Sequence, residues 1–150
     1  MKKKIFSRDV WGVTEMPVRY AVAVAAAGMA VGLMGYAAYQ LWRDLQVDEA
    51  RGEVETIVRE AQLMQATADA GTVRMLKVEF PSGMHRAVFG AHNPREANRY
   101  YFLMDWGENH SYFAENVHFG KKTVLHSGVE KVKLGLKENG GKHVLIEVVE

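Results

Sequence analysis

Six histidines, at positions 85, 92, 110, 118, 126 and 143, are the residues of this chain best suited to metal or acid–base chemistry. Two imidazoles reach one face of a helix at HxxxH spacing, or one face of a strand at HxH spacing, and none of the six stands at either interval. They fall at or beside the ends of expected strands, where they read as exposed turn histidines. There is no cysteine, so thiolate metal sites, disulfide staples and a cysteine nucleophile are excluded together. A hydroxyl nucleophile needs an oriented base, yet the chain contains no GxSxG, no paired acid cluster and no glycine loop able to cradle phosphate, Gly140-Gly141 being a turn. No catalytic residue, cofactor site or metal site is assigned, and enzymatic activity is not expected.

Two further features carry chemistry of other kinds. Asn109-His110-Ser111 is an N-x-S acceptor for glycosylation in an expected turn, with a plain polar turn as the alternative. Glu15 and Arg19 stand at i, i+4, the spacing of neighbours on one helical face, and suit an ion pair at a membrane interface. The aromatic group Tyr100, Tyr101, Phe102, Trp106, Tyr112, Phe113 and Phe119 could form a ligand-binding face, but period-two alternation sends about half of it into the core.

The elements that must position these residues begin with an uncharged run from Tyr20 to Trp42, which departs sharply from the mean hydropathy of −0.18. As a helix rising about 1.5 Å per residue it would reach roughly 35 Å, more than a hydrocarbon core of about 30 Å. Lys2, Lys3, Lys4, Arg8 and Arg19 precede it, whereas residues 43 to 60 carry Asp44, Asp48, Glu49, Glu53, Glu55 and Glu60. The positive-inside tendency then keeps the N-terminus cytoplasmic and places everything after Trp42 outside, with Trp42 and Arg43 at the outer interface. Gly28 and Gly32 form a GxxxG pair continued by Gly35, with Ala23 and Ala27 one to two turns earlier. Such a flat face admits a second helix, although Ala and Gly are also simply common in spanning helices. Membrane lipid and self-association are the expected partners; the formal net charge of +1 lacks the basic excess of a nucleic-acid binder.

The helical pattern continues beyond Trp42 through Leu41, Leu45, Val54, Ile57, Val58, Ala61, Met64 and Gln65 to about residue 68, weakened at Gly52 and stopped at Gly71. The period then changes to two. Strands are expected at Val73 to Phe80, with Met75 or Leu76 on the apolar face, and at Arg86 to Phe89, Tyr100 to Trp106 and Tyr112 to Phe119. Three more follow at Val124 to His126, Val129 to Leu136 and His143 to Val149. Turns fall at Pro81-Ser82-Gly83, Gly107-Glu108-Asn109, Gly120-Lys121-Lys122 and Asn139-Gly140-Gly141, the last being the clearest hairpin signal. The fold class is α+β: a leader and helix start over 1–19, a transmembrane helix over 20–42, an amphipathic extension over 43–70 and a small antiparallel β domain over 71–150.

The basic residues Lys2-Lys3-Lys4 and Arg8, then Gly12-Val13-Thr14-Glu15-Met16-Pro17-Val18-Arg19, then a small-residue helix, together resemble the N-terminus of archaeal type IV pilin-like proteins. The segment FPSGMHRAVFG, residues 80 to 90, with the strands after it, resembles more loosely their outer β domain. The resemblance implies membrane insertion with the leader inside, cleavage by a prepilin-type peptidase between Gly12 and Val13, and lateral packing of the helix in a type IV pilus-like filament or related membrane assembly. Glu15 would match the family's acidic position, serving assembly together with Gly28, Gly32 and Gly35. Trp11 stands where the family usually has lysine or arginine. The alternative reading is a single-pass anchored module whose β domain binds a cell-envelope partner.

Overall fold

The computed structural model describes residues 11–149; the basic residues Lys2, Lys3, Lys4 and Arg8 lie outside them. One helix, α1 (Trp11–Thr67), is followed by seven strands: β1 (Val73–Phe80), β2 (Met84–Phe89), β3 (Arg99–Met104), β4 (Asn109–Phe113), β5 (Thr123–Leu125), β6 (Gly128–Glu138) and β7 (Lys142–Val149). A single 3-10 turn, Pro94–Glu96, joins β2 to β3. This is the α+β order expected from the change of period at residue 72. The chain divides into two compact units, one ending at Leu41 and the other running from Trp42 to the C-terminus.

In the first unit the described side chains from Pro17 to Tyr39 are all exposed. Val22, Leu33 and Met34 keep 64%, 71% and 71% of their surface, so this length of α1 has no apolar cover within the unit. Pro17 is expected in the first helical turn, where its missing N–H costs nothing. Because α1 starts at Trp11, Pro17 instead lies inside the helix, where it cannot donate to the carbonyl four residues back.

The second unit begins with residues 42–67 of α1. Its buried stripe is Val47, Ala50, Val54, Ile57, Val58, Ala61 and Met64, intervals of three and four that keep one face toward the sheets. Leu41 and Leu45, expected on this stripe, are 61% and 60% exposed. At about 100° per residue they fall on the opposite side of the helix from Val54, and Val47 and Ala50 take the places assigned to them. Gly52 is exposed and does not interrupt the helix; Thr56 Oγ1 donates to its carbonyl at 2.9 Å.

After Ala68 donates to Met64 O at 2.9 Å, the chain turns at Gly71, whose φ of 92° suits a residue without a Cβ. The Gly71 amide then donates to Leu136 O at 2.8 Å, tying the end of the helix to β6. One antiparallel sheet has the order β1-β6-β7 and the other β4-β3-β2-β5. The β6–β7 hairpin closes over Asn139-Gly140-Gly141 with Glu138 opposite Lys142, as the alternation on both sides of Asn-Gly-Gly predicts. On β1 the inward positions are Leu76, Val78 and Phe80, with Met75 exposed, which decides between the two frames left open by the sequence.

The largest departure concerns the strand expected over Tyr112 to Phe119. Pairing stops at Phe113, and Asn116 adopts a left-handed φ of 56°. Val117 and Phe119 are nevertheless buried, so their spacing of two imitates a strand. In place of a ladder, Val144 donates to His118 O at 2.8 Å and Gly120 to Val144 O at 2.9 Å, a parallel bridge that fastens this loop to β7. Gly120 is required there, because a Cβ would collide with the His143 ring and with Leu145. Thr123 Oγ1 also donates to Ile146 O at 2.8 Å. The two sheets and the helix stripe thus share one apolar core.

Candidate functional site: the exposed helix and the aromatic cluster at Trp42

Within the first unit, the functional question is what the uncovered helix faces. Residues Pro17–Thr67 include a stretch long and apolar enough to cross a membrane, and none of that stretch is buried. A Cβ added at Gly28, Gly32 or Gly35 would meet no atom within 4 Å. These glycines therefore answer no packing need inside the unit and leave the backbone open to an outside surface. At about 100° per residue the three lie within roughly 60° of arc. The same rotation brings Ala21 and Ala25 onto that face and sends Ala23 and Ala27 away from it, so the flat strip is Ala21, Ala25, Gly28, Gly32 and Gly35. Gly12, Val13 and Glu15 fall in the helical backbone of the first turns of α1.

The second unit starts with an aromatic and charged cluster that the sequence left undetected. Trp42 and Trp106 place their ring centroids 5.8 Å apart, and the Arg43 guanidinium lies 4.8 Å from the Trp106 ring centre, within cation–π reach. The Trp106 indole N–H donates to Glu108 Oε2 at 2.8 Å. That same oxygen receives Arg43 Nη2 at 3.3 Å, and His110 Nε2 lies 3.0 Å from Glu108 Oε1. Hydrogen bonding from Trp106 above all holds the Glu108 carboxyl below its ordinary range; burial opposes it, and His110 and Arg43 add to the lowering. Trp106 also rests on Gly83, where a Cβ would stand 2.9 Å from the ring, while the Gly83 amide donates to Gln46 Oε1 at 3.0 Å.

The remaining candidates are scattered. Asn109 is exposed but opens β4, opposite Leu103, and does not lie in a turn. His110 is half-buried in β4, its ring 4.9 Å from that of Phe102. His85 lies in β2, paired with Asp105 at 3.4 Å. His92, His118 and His126 are exposed outside the strands. Among the described residues no three or more His, Asp or Glu side chains converge on a point where a metal ion could be held. Of the aromatic group, Tyr100, Phe102 and Phe119 are buried, Tyr112 packs against the core and Phe113 is 62% exposed. The inward rings form a stacked row, with Phe89–Tyr100 at 6.2 Å and Tyr100–Tyr112 at 5.5 Å. They fill the core of the domain. No family model, curated protein or solved structure matches this chain.

Proposed function

We propose that this protein is a pilin-like structural subunit, anchored in a membrane by α1 and packed laterally with other such helices, with its β domain carried outside. The observation that carries the reading is the uncovered apolar helix with its strip of Gly28, Gly32 and Gly35. In lipid, helices associate by close packing and backbone approach, for which such a strip is suited. The acidic Glu15 has a role in this arrangement: cleavage before Val13 creates an ammonium that requires a carboxylate partner once helix ends are buried together. Orientation follows the positive-inside tendency, with the N-terminus cytoplasmic; the sequon at Asn109 would then face the glycosylating side.

Mass spectrometry of the mature chain from its own membranes, with negative-stain imaging of the cell surface, tests the proposal. It expects a chain beginning at Val13 and filaments that disappear on deletion. A chain retaining its leader, with no filaments, would leave the second reading, a single-pass anchor whose β domain binds an envelope partner. Trp11 at the position before Gly12 favours that reading.

A further inference from the structure

Resting on the membrane insertion proposed above, we propose that the turn between β3 and β4, with Trp106 at its tip, is a second membrane contact that seats the β domain on the lipid headgroups. Trp42 closes the uncharged run and is joined by the chain to Leu41, so in an inserted helix it lies at the headgroup level, where amphipathic indoles concentrate. Trp106 touches it, with ring centroids 5.8 Å apart, although the two are far separated in sequence. The turn must therefore share the depth of Trp42. Leu45, on the outward side of the helix at the same level, is 60% exposed.

Charge at this end of the domain agrees with that depth. Arg43 lies against Trp106 and bonds Glu108, while Asp105 is 3.4 Å from His85. The Glu108 carboxylate beside the indole thus has a cationic partner in Arg43, and an Arg stem beside an indole is the combination that suits a headgroup layer. The helix also supplies a ruler. Gln65 donates to Lys142 O at 3.2 Å beside the β6–β7 turn, and about 1.5 Å per residue puts that level roughly 35 Å beyond Trp42 along the axis. Within the domain, the β6–β7 turn thus lies at the end opposite Trp42 and Trp106.

The test uses the full chain in phosphatidylcholine vesicles. A Trp11→Phe, Trp42→Phe variant leaves Trp106 as the sole indole, and its emission is compared in vesicles with nitroxide on the headgroup and in vesicles with nitroxide at mid-chain. Loss of emission with the headgroup label, and little with the mid-chain label, is expected. An Asn139→Cys variant carrying a fluorophore keeps its emission with both. A Trp11→Phe, Trp42→Phe, Trp106→Phe, Tyr36→Trp variant reports the span, and should be quenched by the mid-chain label. If Tyr36→Trp is quenched while Trp106 is not, this inference fails and insertion stands; if Tyr36→Trp is unquenched, both fail. Should Trp42→Phe disturb the pair, Trp11→Phe alone is used: a headgroup-quenched fraction too small to include both remaining indoles overturns the inference.

Discussion

Arg43 on the helix and Glu108 at the end of the β3–β4 turn meet at 3.3 Å, and the carboxylate they share with the Trp106 indole links the helix to the sheet by one oxygen. This arrangement makes the cluster sensitive to acid. Glu108 has its folded pKa depressed, first by the Trp106 hydrogen bond. Its contribution to stability is present above the unfolded carboxylate value and is lost as pH falls through the depressed one. Acidification below the ordinary carboxylate range should shift Trp106 emission before the domain unfolds, and Glu108→Gln should abolish that pH dependence. Fluorescence of single-indole variants against pH checks this.

The helix stripe makes a second expectation. Ile57 is fully buried in the shared core, so Ile57→Ala should destabilise the β domain by about 2–5 kcal/mol. Leu45→Ala, on the outward face, should change stability by less than about 0.5 kcal/mol. Denaturant unfolding followed by tyrosine and tryptophan emission compares the two.

Gly120 carries the bridge to β7, and its substitution meets the His143 ring. Gly120→Ala should cost about 1–3 kcal/mol, whereas Gly107→Ala meets no atom and is strained only by its φ of 88°. Because the two act by different causes, trimming His143 to Ala should relieve part of the cost of Gly120→Ala, the contact with Leu145 remaining, and leave Gly107→Ala unchanged, as a double-mutant cycle in thermal unfolding would read out.

Glu15→Ala should leave the protein in the membrane fraction and abolish assembly. Carbonate extraction and surface imaging separate the two effects, and normal filaments from this variant would remove Glu15 from the assembly role.

Much of this fold was legible because strong periodicities were uninterrupted. Leu134 and Leu136 alternate with Lys133, Gly135 and Lys137 on β6, Val144 and Ile146 keep the same spacing of two on β7, and Asn139-Gly140-Gly141 stands between the strands. Legibility failed where spacing alone was ambiguous. Val117 and Phe119 alternate like strand residues yet belong to a loop anchored by single bonds to β7, a tertiary arrangement with no local signal. Leu41 and Leu45 are apolar for a reason other than the core and lie off the buried stripe, which Val54, Ile57, Val58, Ala61 and Met64 occupy as their spacing predicts. The cluster at Trp42 was out of reach for the same cause: Trp106, Glu108 and Arg43 converge only after β3 and β4 fold against the helix. Trp42 itself could be assigned to an interface, but its partner could not.

The central claim, lateral packing through the glycine strip, is tested most directly by matched cysteines in a chain that has none of its own. Ala25→Cys lies on the strip with Gly28 and Gly32, and Ala30→Cys lies across the helix from it. Oxidative cross-linking in native membranes should give disulfide-linked dimers for Ala25→Cys and monomers for Ala30→Cys. Equal cross-linking at both positions, or none at Ala25→Cys, would contradict packing by this face.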